Sequence, residues 1–312
     1  MTDITIGADI SKDHIDLYSL PNGQTLKVAN DRKGFAAILK WIGTKRVVRI
    51  VYEPTGPYHK AFERLMMVQG VALSKVNPRL ARRFAEATGR LAKTDKIDAG
   101  LLARYGALLE PRILEANTKI LNDLKELHGA RLALIKDRTA AKNREKNLSN
   151  PLLKKQNADR LRQIERQIKA VDEAIMSLVG EDETLRARFD ILVSIPGVSQ
   201  VTASTLLIEM PELGELDEKA AAALCGLAPM SRQSGRWTGR AFIAGGRAVV
   251  RQALYMPALV ACRFNPDLKA NYDRLKAAGK PPKVAITAIM RKLIVLANAL
   301  LKNNRKWTPK PA

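Results

Sequence analysis

The chain has 312 residues and a formal net charge of +22, with 53 lysines and arginines against 31 aspartates and glutamates. This length makes two domains the starting expectation, and a hydrophobic content of 46% excludes a disordered chain. The two cysteines, Cys225 and Cys262, lie too far apart for metal-ligand spacing. They exclude both a disulfide scaffold and a zinc site.

The positive charge is concentrated toward the C-terminus, where residues 191–312 carry 18 basic and 7 acidic side chains. Such a surface attracts polyanions, so nucleic acid is the expected partner. A ribosome-associated protein or a merely soluble basic protein is the alternative, and charge alone does not separate these classes. No signal peptide and no apolar run of transmembrane length is evident. We therefore expect a cytoplasmic, nucleoid-associated prokaryotic protein without membrane contact.

The first hundred residues alternate between strand and helix patterns. Short β-rich runs at 4–10, 14–20 and 25–30 precede a helix around 33–43. A continuous apolar run at 46–53 predicts a buried strand. A helix near 58–69, a strand near 72–77 and a helix from about 79 follow. Three strands followed by helix, strand, helix and strand is the order of a ribonuclease H-like (RuvC-like) fold, assigned here to residues 1–112.

Residues 113–188 predict a central helical hairpin. An apolar heptad seam is spaced 3-4-3-4-3-7 along the second arm, at Leu161, Ile164, Ile168, Val171, Ile175, Leu178 and Leu185. Asn150-Pro151 separates the two arms and would stop a helix there. The pattern predicts an antiparallel coiled coil that either packs on itself or forms a dimer contact.

Residues 189–312 predict a helical C-terminal domain, which makes the whole chain α/β plus α. Residues 194–210 resemble a helix-hairpin-helix, in which a tight turn at Gly197 directs backbone amides toward a phosphate. Such turns also serve as plain connectors between helices. The sequence leaves both interpretations open.

Four acidic residues stand where an α/β fold would gather them. Asp9 ends the first predicted strand, Glu53 ends the buried strand, and Asp95 and Asp98 lie at the start of a predicted helix. Strand ends and helix starts at one sheet edge would give Mg²⁺, or Mn²⁺, the carboxylate oxygens that it prefers. The alternative for each residue alone is structural: Asp95 as a helix N-cap and Asp98 as a charge facing the helix dipole.

The motifs GADISKDHIDL, VYEPTGPYH and LAKTDKIDAGLLARY closely resemble the DEDD domain of the IS-one-ten family of insertion-sequence transposases. The motifs IPGVSQVTASTLLIEM, CGLAP, QSGRWTGR and GGRAVVRQALYMPAL resemble that family's C-terminal region. The family is described as bridge-RNA-guided recombinases, with Piv-type DNA invertases as relatives. The segment GGRAVVRQALY resembles the subset with subterminal inverted repeats, and it departs from the branch that has a Ser-Lys-x-Gly element there.

This resemblance implies the chemistry of a site-specific DNA recombinase. Asp9, Glu53, Asp95 and Asp98 match the family's metal-binding tetrad, and Ser234 matches its nucleophilic serine. The implied reaction is attack of the serine on a DNA phosphate to form a phosphoserine intermediate. Without the resemblance, the residues around Ser234 would predict only a surface turn.

The basic residues around the serine are candidates for holding phosphates. They are Arg232, Arg236, Arg240, Arg247 and Arg251. The partners implied by the resemblance are double-stranded donor and target DNA and a structured guide RNA. Because one recombination needs several strand cleavages, a homodimer or homotetramer is also expected.

Three rival functions remain open at the level of the sequence. One is a Piv-like DNA invertase that reads its sites without a guide RNA. Another is a RuvC-like metal-dependent junction nuclease, in which Ser234 would be incidental. The third is a non-catalytic RNA-binding protein with a decayed nuclease fold, which the intact acidic positions disfavour.

Overall fold

The computed structural model describes residues 3–54, 56–89, 95–115 and 118–309, and the side chains of residues 95–97 lie outside that description. The chain forms two compact units, Met1–Ala116 and Asn117–Ala312. Each unit has secondary structure and buried side chains of its own.

The first unit is a mixed α/β unit built on a five-stranded sheet. Its elements are β1 (Ile4–Ile10), β2 (His14–Leu20), β3 (Thr25–Ala29), α1 (Arg32–Ile42), β4 (Val47–Tyr52), α2 (His59–Val68), β5 (Leu73–Lys75), α3 (Pro78–Ala87) and α4 (Asp95–Leu109). The strand order is β3-β2-β1-β4-β5. The pairs β1–β2 and β2–β3 are antiparallel, whereas β1–β4 and β4–β5 are parallel. The predicted mixed α/β class and the predicted element order are confirmed.

The two faces of this sheet carry separate cores. One face packs against α1 and α2 through a cluster that includes Ile6, Phe35 and Phe62. The opposite face packs against α3 and α4, where Val51 and Tyr105 are buried. The central strands β1 and β4 are thus covered by helices on both faces of the sheet. This agrees with the continuous apolar run that predicts β4 as a buried strand.

The second unit is mainly helical. Its elements are α5 (Lys119–Glu145), α6 (Pro151–Glu181), α7 (Glu183–Val193), α8 (Gln200–Glu209), α9 (Glu218–Leu224), β6 (Pro229–Met230), β7 (Gln233–Ser234), β8 (Trp237–Thr238), β9 (Phe242–Ile243), α10 (Ala248–Ala253), α11 (Tyr255–Phe264), α12 (Pro266–Ala277) and α13 (Pro282–Lys302). The short strands form two ribbons, β6–β9 and β7–β8. A helical C-terminal part is therefore confirmed.

The predicted helical hairpin corresponds to α5 and α6, which pack along each other. Asn150 caps the N-terminus of α6, and Pro151 occupies its first position, where a missing N–H costs nothing. Ile164, Ile168 and Ile175 of the heptad seam are buried. The two helices thus use the predicted face, while a supercoiled geometry stays a prediction.

The base of this hairpin belongs to the same core as the C-terminal helices. Leu124 of α5 and Val179 of α6 lie in one buried cluster with Leu293 of α13. Residues 117–188 of the predicted hairpin (113–188) and the predicted C-terminal domain (189–312) therefore share one compact unit. The seam residues near the base are apolar because they contact these later helices as well as each other. The division near residue 188 stays a prediction.

Helix α13 corrects the expectation that no segment approaches transmembrane length. It is the one helix of the described residues that is long and apolar enough, by length and composition, to cross a membrane. Half of its apolar window is buried, and Ile289, Leu293, Ile294 and Leu300 lie in the core of the second unit. Its apolar character is accounted for by this packing, as for the central helix of a bundle.

Candidate active site

Asp9 and Glu53 lie at the same edge of the sheet. β1 and β4 run parallel in a register that pairs Ala8 with Tyr52. Asp9 and Glu53 are the next residues along these two strands, so their backbones are neighbours. Both residues are half-buried. The structure therefore agrees with the predicted adjacency of the two strand ends.

Two glycines let α4 lie directly on one face of the sheet. A β-carbon on Gly7 would stand 1.9 Å from the carbonyl oxygen of Ala99, and one on Gly106 would stand 2.4 Å from Cγ2 of Val51. Neither position leaves room for a side chain. Because side chains alternate along a strand, Asp9, two positions after Gly7, is directed to the α4 face. The same alternation directs the residue two positions after Val51, the predicted ligand Glu53, to that face.

The direction of α4 brings its first turn to this acidic edge. Its later residue Gly106 lies beside Thr5 at the beginning of β1, with 2.9 Å between the position of a β-carbon and Cγ2 of Thr5. Ala99 lies further along β1, so the helix runs antiparallel to the strand. Asp98, which precedes Ala99, is therefore at the end of β1 where Asp9 stands. It is also half-buried.

The donor chemistry of this edge fits a divalent cation. Asp9, Glu53 and Asp98 offer carboxylate oxygens on one face, the ligands that Mg²⁺ and Mn²⁺ take. Within the described side chains, however, no three acidic, histidine or cysteine groups form a ready-made metal cluster. Asp95 is the first residue of α4, and its side chain lies outside the described residues. The four-carboxylate site stays a prediction.

Asp16 is a further carboxylate at this edge that the sequence did not reveal. The antiparallel register of β1 and β2 pairs Asp9 directly with Asp16, so both side chains lie on the same face. Nζ of Lys27 lies 3.2 Å, and Nε2 of His14 3.5 Å, from Oδ2 of Asp16. Asp16 is thereby held by basic neighbours on its own sheet. Asp16 lies beside Asp9 because of the register in which β1 and β2 pair, and the sequence of one strand alone does not predict that register.

A cluster of polar side chains lies on the other face of the sheet, around the buried Tyr52 that directly precedes Glu53. The Tyr52 hydroxyl donates a short hydrogen bond to Oε2 of Glu63 on α2. Nζ of Lys75 lies 2.6 Å from the same oxygen, and Nε2 of His59 lies 3.7 Å from it. Tyr52 and Lys75 are register partners on β4 and β5. The cluster ties the end of β4 to β5 and α2.

The pKa values in this cluster follow from burial and from the neighbouring charges. Burial, then the hydrogen bond and charge of Glu63, raise the pKa of Tyr52. Burial opposes ionisation of Glu63, but hydrogen bonds from Lys75 and Tyr52 and the charge of Lys75 hold the pKa of Glu63 below its ordinary value. Burial, then the charge of Lys75, lower the pKa of His59. At neutral pH these shifts favour an anionic Glu63 beside a neutral Tyr52 and a neutral His59.

Ser234 lies at the tip of an exposed β-hairpin in the second unit. It pairs with Trp237 across the antiparallel strands β7 and β8. Two residues, Gly235 and Arg236, connect the strands, and Gly235 has a φ of 55°, in the left-handed region that glycine adopts without strain. Ser234 itself is exposed. The turn predicted from Ser234-Gly235 is thus present, and Ser234 is accessible to solvent beside it.

The predicted phosphate-binding arginines fall into two groups. Arg232, Arg236 and Arg240 are exposed on and beside the hairpin. The guanidinium carbon of Arg232 lies 4.6 Å from the centre of the Phe242 ring, a cation–π contact. These three residues place positive charge on and beside the hairpin that carries Ser234.

Arg247 and Arg251 make contacts inside the protein instead. Nη1 of Arg247 donates to the carbonyl oxygen of Glu209 at 2.5 Å, and its Nη2 lies 2.5 Å from Oε1 of Glu212. Nη1 of Arg251 donates to the carbonyl oxygen of Gly245 at 2.7 Å. Arg247 therefore ties the start of α10 to the end of α8, and Arg251 ties α10 to the loop before it. A phosphate contact by either residue stays a prediction.

The predicted helix-hairpin-helix turn packs against another helix. Gly197, in the connection between α7 and α8, has a φ of 99°. A β-carbon there would stand 2.8 Å from the carbonyl oxygen of Pro257 and 3.2 Å from the amide nitrogen of Ala261, both in α11. Because glycine has no side chain, it allows this close approach of α11. Packing in a connection between helices is therefore sufficient reason for a glycine at position 197. The phosphate-binding role stays a prediction.

Two family models cover most of the chain. Residues 6–150 match the IS110-type DEDD transposase model, described as "Transposase", and residues 189–273 match a model described as "Transposase IS116/IS110/IS902 family". The pilin gene-inverting protein of Moraxella bovis is 30% identical over 98% of this chain and 98% of its own length. The chain belongs to the IS110 family of transposases. It is a DNA recombinase enzyme of that class, as the resemblance implied.

Other similarities of this IS110-family transposase are more restricted. The pilin gene-inverting protein of Moraxella lacunata matches equally, at 30% identity over 98% of both chains. The "Insertion element IS900 uncharacterized 42 kDa protein" of Mycobacterium paratuberculosis is 30% identical over 38% of this chain and 31% of its own. A solved structure, Thermus thermophilus RuvC with a Holliday junction substrate, covers 36% of this chain and 100% of that chain at 11% identity. Its TM-score is 0.28.

Proposed function

We propose that this transposase cuts and rejoins DNA through a covalent phosphoserine at Ser234, assisted by a divalent cation at the acidic edge of the first unit. The observation that carries the proposal is the setting of Ser234 on the hairpin. Ser234 is exposed beside a two-residue turn, and Arg236 lies within that turn. Two more exposed arginines, Arg232 and Arg240, flank it.

The proposed step is a transesterification at the serine. Oγ of Ser234 forms a bond to a DNA phosphorus as the bond from phosphorus to the 3′ oxygen breaks, and the serine proton passes to that oxygen. One phosphodiester is replaced by another, so the bond energy is retained for rejoining. A 3′-hydroxyl of the partner strand then attacks the phosphoserine and regenerates the serine. The exposed arginines would balance the charge on the phosphate oxygens.

Asp9, Glu53, Asp98 and Asp95 would hold the cation, Mg²⁺ or Mn²⁺. The bound cation would supply Lewis-acid stabilisation of charge at a reacting phosphate. The protein's own contribution is to keep the carboxylates in place. The glycine contacts beneath α4 and the Tyr52–Glu63–Lys75 cluster beside Glu53 serve that purpose.

A structured bridge RNA is proposed as the source of target specificity, with donor and target DNA as the substrates and a homodimer or homotetramer as the acting form. The family resemblance and the net charge of +22 support an RNA partner. The enzyme would act at the nucleoid. DNA inversion without a guide RNA is the second candidate, favoured by the match to pilin gene-inverting proteins over 98% of both chains.

The experiment that separates these functions starts from the native gene with its flanking DNA. The purified protein is tested for co-purifying RNA by sequencing. One dominant RNA from a flank, with loops matching the element junction and a target, supports guided recombination. Only heterogeneous RNA, together with inversion of a plasmid segment between inverted sites, supports the invertase.

The Ser234→Ala variant tests the serine in the same assay. We expect it to lose strand cleavage and rejoining while remaining folded. A variant that still cuts DNA would contradict the phosphoserine mechanism and favour a junction nuclease that uses the acidic edge alone. The matched control is Ser177→Ala, which removes an exposed serine hydroxyl on α6.

A further inference from the structure

Trp237 is the cross-strand partner of Ser234 and is 60% exposed. A large aromatic ring gains by leaving water, and this exposed ring stands beside a candidate nucleophile, where a ligand could cover it. β-Carbons of such cross-strand partners lie about 5 Å apart. A molecule held at the Ser234 hydroxyl would therefore lie within reach of the indole ring.

The indole ring is held against the hairpin backbone. A β-carbon on Gly239 would stand 2.4 Å from Cη2 and 2.9 Å from Cζ3 of Trp237, so the ring occupies the space that a side chain would fill. The amide of Gly239 donates to the carbonyl oxygen of Arg232 at 2.8 Å, which fixes the backbone there. The ring is thus positioned before any ligand arrives, which lowers the entropic cost of stacking on it.

The neighbouring charges identify the class of ligand. Arg236 lies in the turn, and Arg240 follows β8, both exposed. The second aromatic of this region, Phe242, is already in contact with the guanidinium of Arg232. An exposed aromatic ring among exposed arginines is the combination by which proteins bind single-stranded nucleic acid, through base stacking and phosphate contacts.

We propose that Trp237 stacks on an unpaired DNA base next to the phosphate that Ser234 attacks. This inference rests on the proposed role of Ser234, and it adds that the DNA base beside the attacked phosphate is unpaired. The faces of a base are covered by its neighbours within a duplex, so stacking requires an opened base step. Strand exchange requires the same opening, because each cut strand must leave one partner and pair with another. Trp237 would hold the base at the cleavage point unstacked.

The test uses the intrinsic fluorescence of a chain that keeps only this tryptophan. The sequence has three tryptophans, Trp41, Trp237 and Trp307, so Trp41→Phe and Trp307→Phe isolate the probe. Ser234→Ala prevents chemistry during the titration. The full-length protein is titrated with oligothymidylate and, separately, with a blunt DNA duplex of the same length. We expect oligothymidylate to quench the Trp237 fluorescence more than the duplex does.

Affinity measurements on position 237 complete the test. Trp237→Leu is expected to weaken oligothymidylate binding about tenfold, with little change for the blunt duplex, and Trp237→Phe should retain most of the affinity. Arg236→Ala is the matched control from the same turn, because loss of a phosphate contact weakens both ligands alike. The proposal would be overturned if Trp237→Leu bound oligothymidylate with the same affinity as the protein that keeps Trp237. Stronger quenching by oligouridylate would overturn the assignment to DNA.

The outcomes also distinguish this inference from the proposed function. Selective loss of single-strand binding in Trp237→Leu supports stacking whether or not Ser234 forms a covalent bond. A Ser234–DNA adduct together with normal single-strand binding by Trp237→Leu would leave the serine mechanism intact and remove the stacking role.

Discussion

Nζ of Lys75 lies 2.6 Å from Oε2 of Glu63, the oxygen to which Tyr52 also donates a hydrogen bond. Because Tyr52 directly precedes Glu53, this ion pair holds the backbone that carries a predicted metal ligand. The pair joins β5 to α2 beside the end of β4, where Tyr52 is the register partner of Lys75. The position of Glu53 thus depends on residues from the opposite face of the sheet.

Substituting Lys75→Met should therefore lower both stability and strand cleavage. It leaves the anionic Glu63 half-buried with only Tyr52 as donor, at an expected cost of about 1–2 kcal/mol in the free energy of unfolding. Urea unfolding and a DNA cleavage assay measure the two effects. Lys269→Met, from the exposed pair of Lys269 and Asp273, is the control and should change neither. If Lys75→Met cleaves DNA as fast as the wild type, the Tyr52–Glu63–Lys75 cluster does not position the predicted metal ligand Glu53.

Two glycines, one packed between α4 and β1 and one exposed on α5, should respond in opposite ways to substitution by alanine. Gly7→Ala forces α4 away from the sheet and should cost about 1–3 kcal/mol, with loss of cleavage because Asp98 moves relative to Asp9. Gly129→Ala, in an exposed turn of α5 with open space at the β-carbon, should instead stabilise its helix by about 0.5–1 kcal/mol. Thermal unfolding compares the two variants. If Gly7→Ala unfolded at the same temperature as the wild type, α4 would not pack on β1 as described.

Removing individual carboxylates tests the acidic edge. Asp9→Asn, Glu53→Gln and Asp98→Asn should each reduce DNA strand cleavage by at least roughly 100-fold, because a neutral amide binds a divalent cation poorly. Glu86→Gln, from a surface pair on α3, is the control and should cleave normally. A chelator should abolish cleavage, and added Mg²⁺ or Mn²⁺ should restore it. Full activity in Asp9→Asn would place the metal elsewhere.

The buried residue His128 predicts a pH dependence of stability. It is 2% exposed on α5, and burial lowers its pKa, with Glu209 on α8 and Asp172 on α6 acting to raise the value and Arg131 to lower it. Because the folded pKa lies below the unfolded value of 6.5, the unfolded state binds more protons as the pH falls through that value. Stability contributed by neutral His128 is therefore present above this pH and is lost below it, by at most ~1.4 kcal/mol per pH unit.

The comparison of wild type with His128→Gln isolates this contribution. Unfolding by urea is followed by tryptophan fluorescence above and below the pKa of a free histidine, in both proteins. The wild type should lose more stability on acidification than the variant does. Equal losses would show that His128 accepts a proton without cost in the folded protein.

Much of the first unit could be predicted because its pattern is local. The predicted strands at 4–10 and 14–20 coincide with β1 and β2, and the apolar runs that stop near Asp9 and Glu53 predict both residues at strand ends. Contacts that depend on pairing register could not be predicted. Asp16 beside Asp9 is an example, as is the meeting of Tyr52, Glu63 and Lys75 from three elements.

The second unit was less predictable for a different reason. Gly197 was compatible with a phosphate-binding turn or a connector, and only its approach to α11 shows what its missing side chain accommodates. Likewise, nothing local distinguishes Arg247, which binds Glu212 inside the protein, from the exposed Arg236. Ser234 was found only through family resemblance, since a serine in a hairpin turn carries no chemical signature of its own.

The most direct test of the account is to identify the residue that becomes covalently linked to DNA. The purified enzyme, with its co-purified RNA, is mixed with a nicked substrate that loses its leaving strand after cleavage, and the trapped adduct is digested and analysed by mass spectrometry. We expect a nucleotide attached through phosphate to Ser234, and no adduct with Ser234→Ala. Cleaved DNA without any adduct, or an adduct on another residue, would contradict it.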